Sequence, residues 1–341
     1  MTDTLALAPS IALLAVEETT PATLYGLLEV FSSVGSVWEE LTGDRDSVAP
    51  LDVRIVASKT TGVKTTSGAI IVADCGLVDF DVIITTDLNF SVLSSPKGLW
   101  REETSWLADQ YKRGAIVCSV CTGTIMLAEA GLLDGLTVTT HWAAARMLGT
   151  CYPKVVVEPS RILSLDGEGH RIITTGGVAS WEDLALYLIS RFRGQREAIR
   201  TAKVFLFGDR SDGQLPFAGL QQHRNHEDAI VQNLQAWLAD NYTVQNPVAQ
   251  MSARSKLPPR TLVRRFRAAT GYSPIDYVQT LRMEEAKQIL ETTTMPVEEI
   301  GMEIGYEDAS YFRRLFKRRT GITPARYRQR FAGISAMPKG S

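Results

Sequence analysis

The last third of the chain contains one sequence pattern twice. The first copy reads RTLVRRFRAATGYSP over residues 260–274, and the second reads SYFRRLFKRRTGITP over residues 310–324. In each copy a short apolar helix is predicted to lead through a turn into a helix that is apolar on one side and arginine-rich on the other. That second helix ends at a Thr-Gly pair, with proline three residues after the glycine. The repeat predicts two helix-turn-helix units, which would present two helices to successive stretches of the DNA major groove.

Side-chain periodicity separates an inner from an outer face on each of these two helices. The inward positions are Leu262, Phe266, Ala269, Phe312, Leu315 and Phe316. The outward positions, which we predict to face DNA, are Arg260, Val263, Arg264, Arg267, Ala309, Ser310, Arg313, Arg314 and Lys317. Arginine on such a face can contact guanine or phosphate. The alternative is a solvated basic face, but two copies joined by a long predicted helix at 275–291 favour DNA binding.

The net charge of −2 hides an uneven distribution along the chain. Residues 247–330 contain 16 lysines and arginines against 9 aspartates and glutamates, a net charge of +7, whereas the remainder contains 20 against 29, a net charge of −9. A basic segment fused to an acidic one indicates a polyanion-binding module attached to another domain. Since neither a signal peptide nor a transmembrane segment is predicted, we expect a cytoplasmic protein with reduced cysteines and no membrane partner.

Residues 10–206 alternate between strand-like and helix-like segments. The predicted strands are 11–16, 53–58, 81–86, 115–120 and 171–175. The predicted helices are 24–33, 105–112, 122–130 and 181–192. Continuous apolar strands that alternate with helices predict an α/β three-layer sandwich with a mostly parallel, flavodoxin-like sheet.

The second half of the chain is predicted to be all-α after an irregular segment. Residues 208–224 are rich in Gly, Asp and Pro, which is typical of a linker. The helices predicted beyond it are about 225–241, 246–253, 259–270, 274–291, 296–304, 308–319 and 323–331. The predicted organisation is a domain at 1–207, a linker at 208–224, a DNA-binding domain at 225–331 and a flexible tail at 332–341.

Cys121 lies where an apolar strand turns into a helix, in the run VCSVCTG at 117–123. This position near the positive end of a helix favours the thiolate and predicts a reactive or ligand-facing residue. The run TTHW at 139–142 adds a polar contact and an aromatic wall. One alternative is a small core side chain, which we expect for the other three cysteines. Another is a Cys118-x-x-Cys121 redox or zinc site, although a second Cys pair is lacking.

Residues 225–331 resemble the DNA-binding domain of the AraC/XylS family. The run IGMEIGYEDASYFRRLFKRRTGITPARYR at 300–328 matches the family signature nearly position for position. The resemblance implies a bipartite domain with both recognition helices in the major groove, about one DNA turn (~34 Å) apart. The base-reading candidates that it implies are Arg260, Val263, Arg264, Ala309, Ser310, Arg313 and Arg314.

Residues 114–142 resemble the nucleophile region of the ThiJ/PfpI family, whose fold is that of class I glutamine amidotransferases. The runs CTG, LAEAGLLDG and TTHW are similar to those of the GlxA-like group, which are AraC-type regulators with an amidase-like sensor domain. This resemblance covers about residues 10–331. It implies that Cys121 stands at the nucleophile position and that His141 lies nearby.

Two departures from the family pattern indicate an enzyme fold that has lost its catalytic activity. The family's enzymes carry an acidic residue on the first strand–helix loop, where this chain has Thr23, although Glu17 and Glu18 lie close by in sequence. The family's Pro-Gly-Gly turn reads Thr-Asp-Leu here, at residues 86–88. A cysteine without a carboxylate partner or an oxyanion-forming turn lacks general acid–base help and charge stabilisation.

We therefore expect a transcription regulator without catalytic activity, cofactor or metal, controlled by a small nitrogenous effector. The predicted effector pocket consists of Thr23, Cys121, Thr122, His141 and Trp142. The predicted partners are double-stranded DNA, the effector and a second copy of the chain in a homodimer, with RNA polymerase as a further candidate. The alternatives are a bifunctional amidase- or hydratase-like enzyme and a thiol redox sensor, both acting through Cys121.

Overall fold

The computed structural model describes residues 9–44, 48–89, 91, 95–219 and 226–335 of the 341-residue chain. Two compact units separate after Gln214. Parts of the predicted first domain, linker and tail lie outside the described residues, at 1–8, 45–47, 90, 92–94, 220–225 and 336–341. In the described part of the chain, no helix is long and apolar enough to cross a membrane.

The first unit alternates strands and helices, as predicted. Its strands are β1 (Ser10–Leu14), β2 (Asp52–Val56), β3 (Val63–Lys64), β4 (Ile70–Ile71), β5 (Val82–Thr85), β6 (Ile116–Val120), β7 (Thr137–Val138), β8 (Val156–Val157), β9 (Leu163–Asp166) and β10 (Ile172–Thr175). Its helices are α1 (Pro21–Ser32), α2 (Val37–Thr42), α3 (Arg101–Lys112), α4 (Thr124–Glu129), α5 (Ala145–Cys151), α6 (Trp181–Arg193) and α7 (Gln195–Val204).

Six strands form the central sheet, in the order β2-β1-β5-β6-β10-β9. The first five are parallel to one another, and β9 pairs antiparallel with β10 at the edge. Every residue of β5, β6 and β10 is buried, as expected of parallel strands that are covered on both faces. The predicted mostly parallel sheet is confirmed. The edge strand β9 and helix α7 are elements that the sequence pattern does not predict.

Apolar side chains pack on both faces of this sheet. Ile11 and Leu13 of β1 point into one core, which also contains buried residues of α1 and α6. Ala12 and Leu14, one position along, point into the other core, with α3 and α4. The predicted three-layer sandwich is therefore confirmed. The carboxyl ends of β1, β5, β6 and β10 meet at one edge, which is where α/β sheets bind ligands.

The second unit is all-α, as predicted. Its helices are α8 (Ala229–Asn241), α9 (Pro247–Ser255), α10 (Pro259–Thr270), α11 (Pro274–Thr292), α12 (Val297–Glu303), α13 (Ala309–Thr320) and α14 (Pro324–Ser335). Four of them begin at proline, whose fixed φ and missing N–H suit the first helical turn. Helix α14 includes residues 332–335, where the sequence analysis expects a flexible tail.

Each helix-turn-helix unit has its own apolar core. Leu262 and Phe266 of α10 are completely buried in a cluster with residues of α8, α9 and α11. Phe312 and Phe316 of α13 are completely buried in a second cluster, with residues of α11, α12 and α14. Helix α11 contributes to both cores, so it joins the two halves of the unit.

The boundary between the two units differs from the predicted linker at 208–224. Gln214 is 3% exposed, and its Nε2 donates a hydrogen bond to the Thr140 carbonyl oxygen at 2.9 Å. Arg210 forms an ion pair with Glu182. Because these contacts anchor backbone that has no regular structure of its own, the first unit extends to Gln214 and not to residue 207.

Candidate functional site

Helix α10 presents all four of its predicted DNA-facing side chains to solvent. Arg260, Arg264 and Arg267 are exposed, and Val263 is 38% exposed. An exposed apolar side chain among arginines is suited to contact with a thymine methyl group, while the guanidinium groups are suited to guanine edges and phosphates. The opposite face of the helix is buried in the core described above.

Helix α13 presents a similar face. Its exposed members are Ser310, Arg313, Arg314 and Lys317. Ala309, at the first helical position, is half-buried. Arg313 forms an ion pair with Glu298 of α12. Surface ion pairs contribute little to stability, so this pair does not prevent Arg313 from exchanging its partner for a phosphate.

The two helices end in the same geometry. Gly271 and Gly321 follow α10 and α13 with φ angles of 76° and 82°, a left-handed conformation that glycine adopts without strain. One residue earlier, the hydroxyl groups of Thr270 and Thr320 donate to the carbonyl oxygen four residues back, at 2.8 and 2.9 Å. The repeated Thr-Gly pair in the sequence therefore forms the same type of helix C-terminus in both helix-turn-helix units.

Arg282 of α11 connects the two helix-turn-helix units. It is 8% exposed, and its guanidinium group donates to the carbonyl oxygens of Tyr242 at 2.8 Å and Val244 at 3.0 Å, both after α8. It also donates to the Gly305 carbonyl oxygen at 3.0 Å, in the turn between α12 and α13. One guanidinium group thus connects the turn of the second helix-turn-helix unit to the segment that follows α8 in the first helix-turn-helix unit. Nothing in the sequence pattern marks Arg282.

In the first unit, Cys121 lies directly after β6 in a single turn of 3₁₀-helix, Cys121–Gly123. Its φ angle is +56°, a left-handed conformation that is strained for a residue with a side chain. A methyl group at Gly123 would stand 2.5 and 2.6 Å from the carbonyl oxygens of Thr86 and Thr85. The turn therefore requires a close approach between backbone segments that only glycine allows.

Threonine hydroxyl groups hold this turn in place. Thr122 Oγ1 donates to the Leu88 carbonyl oxygen at 2.8 Å and accepts the Leu88 N–H at 2.7 Å. Thr140 Oγ1 donates to the Cys121 carbonyl oxygen at 2.8 Å. The cysteine turn is clamped between the segment that follows β5 and the segment that follows β7.

The protonation of Cys121 differs from the sequence-based expectation. Burial, followed by the nearby Asp87 carboxylate, raises the pKa of the Cys121 thiol to about 12, although hydrogen bonds to Thr122 act in the opposite direction. Helix α4 comprises six residues, and the effect of its positive end does not outweigh the cost of burying a thiolate. The expectation that this position favours the thiolate is therefore wrong.

Three buried oxygen atoms at the carboxyl edge of the sheet have no hydrogen-bond partner among the described residues. They are Thr23 Oγ1, Thr86 Oγ1 and Asp87 Oδ1. Asp87 is 5% exposed. Its charge adds to the burial that raises the pKa of the Cys121 thiol and opposes the burial that lowers the pKa of the His141 imidazole. An unpartnered buried oxygen is costly, so these atoms mark a place where a polar ligand would be stabilised. Asp87 is not among the predicted pocket residues, although it lies in the Thr-Asp-Leu turn that replaces the family's Pro-Gly-Gly.

His141 and Trp142 are both half-buried, and their ring centroids lie 5.1 Å apart. His141 Nδ1 accepts the backbone N–H of Ala143 at 3.1 Å. Burial lowers the pKa of the His141 imidazole, so its neutral form is favoured at neutral pH. Of the predicted pocket residues, Cys121 and Thr122 share one turn, and Thr23 belongs to α1 at the same edge of the sheet.

The Cys118-x-x-Cys121 pair does not have the features of a zinc or redox site. Cys118 is completely buried within β6, and burial raises the pKa of its thiol. In the described part of the chain, no three His, Cys, Asp or Glu side chains lie close enough together to hold a metal ion. Cys118 instead packs in one of the two cores of the sheet.

The chain thus joins a flavodoxin-like domain with a cysteine turn to a helical domain with two helix-turn-helix units. A family model described as the DJ-1/PfpI family matches residues 11–190, and one described as a helix-turn-helix domain matches residues 251–330. The chain belongs to the DJ-1/PfpI family and also carries a helix-turn-helix domain of the AraC type.

Several transcriptional regulators are similar to this chain over about two thirds of its length. The HTH-type transcriptional regulator CdhR of Pseudomonas aeruginosa is 30% identical over 228 residues, which cover 65% of this chain and 66% of CdhR. The HTH-type transcriptional regulator GbdR of Pseudomonas aeruginosa is 26% identical, over 68% of this chain and 63% of GbdR. The HTH-type transcriptional regulator GlxA of Rhizobium meliloti is 26% identical, over 64% of this chain and 66% of GlxA. The chain thus spans just under two thirds of the length of each relative.

Cys121 is expected to react slowly with iodoacetamide near pH 7. The thiolate is the reacting form, and a pKa of about 12 leaves very little of it at that pH. The alkylation rate should rise roughly tenfold per pH unit between about pH 8 and pH 11, because the thiolate fraction does so below the pKa. Mass spectrometry of the Cys121 peptide, with the half-buried Cys151 as internal reference, measures these rates.

The variant Asp87→Asn supplies the control for this expectation. It removes a charge that opposes the Cys121 thiolate, so alkylation of Cys121 should become faster while that of Cys151 is unchanged. Labelling of Cys121 near pH 7 at the rate of Cys151 would contradict the raised pKa.

Proposed function

We propose that this protein is a DNA-binding transcriptional regulator of the AraC family that acts in the cytoplasm as a homodimer. A small nitrogenous effector, bound to its DJ-1/PfpI domain, would control its affinity for DNA. The effector would occupy the pocket formed by Thr23, Cys121, Thr122, His141 and Trp142, with Asp87 at its side. The observation that carries this proposal is the group of unpartnered buried oxygens on Thr23, Thr86 and Asp87. A ligand with N–H donors would give these oxygens partners.

The same pocket supports sensing better than catalysis. A cysteine nucleophile needs a thiolate or an adjacent base, whereas burial and Asp87 keep Cys121 protonated. Thr23 contributes a hydroxyl group where a carboxylate would serve as acid or base. RNA polymerase is a further partner that we propose for the DNA-bound dimer.

A titration of the effector in the presence and absence of operator DNA tests the proposed control. Because coupling between two binding sites is reciprocal, DNA must change the affinity for the effector by the same factor by which the effector changes the affinity for DNA. A thermal-shift screen with amino acids, betaines and polyamines identifies the compound to titrate. Identical effector affinity in both titrations would show that the domain does not control DNA binding through that compound.

We expect no amidase, protease or isocyanide hydratase activity at an enzymatic rate. The reason is the combination of a protonated, buried thiol and a threonine at the acid–base position. Steady-state assays on panels of amides and isocyanides, with Cys121→Ser as the blank, measure this. Turnover of about 1–1000 per second that disappears in Cys121→Ser would favour the bifunctional enzyme instead.

A further inference from the structure

A cavity lies at the same edge of the sheet as Cys121, at the ends of β1 and β2, and contains none of the residues of the proposed effector pocket. Its volume is about 260 Å³, and its lining includes the 15–18 segment after β1, Ser58 and Lys59 after β2, Val63 and Lys64 of β3, and Trp100 and Glu103 at the start of α3. This volume lies just below the range of about 300–1,000 Å³ that is typical of small-molecule sites, so only a small ligand would fit. The chemistry of the lining decides which kind.

Glu103 supplies a carboxyl group to this cavity. Its side chain lines the cavity although the residue is only 8% exposed. Among the described residues it has neither a hydrogen bond nor an ion pair with another side chain. Its carboxylate oxygens are not fully enclosed by the protein, so a cation or a hydrogen-bond donor in the cavity can reach them and form a charge-assisted hydrogen bond. Glu103 is therefore a binding group for a positively charged ligand.

Trp100 forms an aromatic wall of the same cavity in an unusual backbone conformation. Its φ and ψ angles are 53° and 43°, a left-handed conformation that costs free energy for a residue with a side chain and that is often found at ligand sites. The indole Nε1 donates to Glu18 Oε2 at 2.9 Å. The tryptophan ring and a second carboxylate are thereby held at the cavity, and an aromatic face attracts cations.

We propose that this cavity binds a small organic cation that carries N–H donors, namely a protonated amine or a guanidinium group. A metal ion is a poorer occupant, because no three metal-ligating side chains converge within the described residues. Lys59 and Lys64 are exposed at the rim and suit a carboxylate at the far end of the ligand. The ligand is therefore either a simple amine or an amino acid. Only an amino acid has a carboxylate for the two lysines to bind.

The wall of this cavity is hydrogen-bonded to the segment that meets the cysteine turn. The Asn89 N–H donates to the Glu18 carbonyl oxygen at 2.7 Å, and the Thr20 N–H donates to the Asp87 carbonyl oxygen at 3.1 Å. These backbone hydrogen bonds connect the wall of the cavity to the segment that contacts the cysteine turn. The binding inference itself does not depend on any effect on DNA affinity.

Isothermal titration calorimetry of the full-length protein with putrescine, L-arginine and choline tests the proposal. Putrescine or arginine is expected to bind, and choline, which has no N–H group, is expected to bind more weakly. Glu103→Gln should weaken binding by roughly 10- to 100-fold, the effect of losing a charge-assisted hydrogen bond. Glu102→Gln, which changes the exposed neighbour on the same helix, should leave binding unchanged. Loss of arginine binding but not of putrescine binding in Lys64→Gln would assign the site to an amino acid.

Two further variants keep the test independent of folding and of the proposed function. If Glu103→Gln fails to fold, Glu18→Gln changes the second carboxylate and should also weaken binding. Asp87→Asn changes the proposed effector pocket instead, so a probe that loses affinity in Asp87→Asn but keeps it in Glu103→Gln occupies that pocket, which would overturn the present proposal. The proposal is overturned if neither putrescine nor arginine binds, if choline binds as tightly as they do, or if both Glu103→Gln and Glu18→Gln bind normally.

Discussion

Replacement of Arg264 and Arg314 together by alanine is expected to weaken specific operator binding strongly. Each arginine lies exposed on its own recognition helix, and loss of one bidentate base contact costs about 1–3 kcal/mol. Since the two helices belong to separate units, the costs should add to about 2–6 kcal/mol. That sum corresponds to an affinity lower by roughly 30-fold to more than 10,000-fold. Each single variant should relax base choice at one operator position.

Competition binding against operator variants at one fixed salt concentration measures these effects, because the phosphate contribution changes with salt. Arg265→Gln is the matched control on the same helix as Arg264. Arg265 is half-buried and pairs with Asp228, so its replacement should leave base preference intact. If both single alanine variants kept full affinity and base preference, the assignment of the recognition faces would be wrong.

Arg282→Met is expected to lower the free energy of unfolding of the second unit by about 3–5 kcal/mol. Methionine keeps much of the apolar stem but leaves three partly buried carbonyl oxygens, those of Tyr242, Val244 and Gly305, without this donor. Each unsatisfied carbonyl costs about 1–3 kcal/mol, with relaxation and water recovering part of the total. Hydrogen-exchange mass spectrometry of peptides from α8 to α14 in increasing urea measures the change.

The control for this prediction is Arg318→Met, since Arg318 is exposed on α13 and surface substitutions usually change stability by less than about 0.5 kcal/mol. Exchange should accelerate in both helix-turn-helix units of Arg282→Met, because the guanidinium bonds to both. Acceleration in only one unit would mean that Arg282 stabilises that unit alone and does not connect the two.

The sequence predicts the fold well where local signals are strong. The parallel strands are continuous apolar runs, and the seven C-terminal helices are delimited by proline and Thr-Gly. Helix α7 is less visible, because Glu197 and Arg200 are buried on its inward face as an ion pair, which weakens the apolar periodicity. Strand β9 contains Ser164 and Asp166 and lies at the edge of the sheet, where a continuous apolar run is not required.

The candidate sites are only partly predictable. The motif around Cys121 shows which residue occupies the turn, but the pKa of its thiol depends on burial and on Asp87, which is 34 positions away in sequence. The pairing of Arg282 with carbonyl oxygens about 40 and 23 residues away leaves no periodic signal. The side chains that line the cavity at Glu103 come from segments that are widely separated along the chain, so only the folded structure brings them together.

The crowded glycine at position 123 changes what the Cys-Thr-Gly motif can be taken to mean. Gly123 is required because two backbone carbonyls leave no space for a β-carbon, and Thr122 is required because its hydroxyl group fastens Leu88. Both requirements are architectural and hold whether or not the neighbouring sulfur ever reacts. A chain can therefore carry this motif only because the backbone of the turn requires it. Genome surveys that identify hydrolases by the motif would then include proteins without catalytic activity.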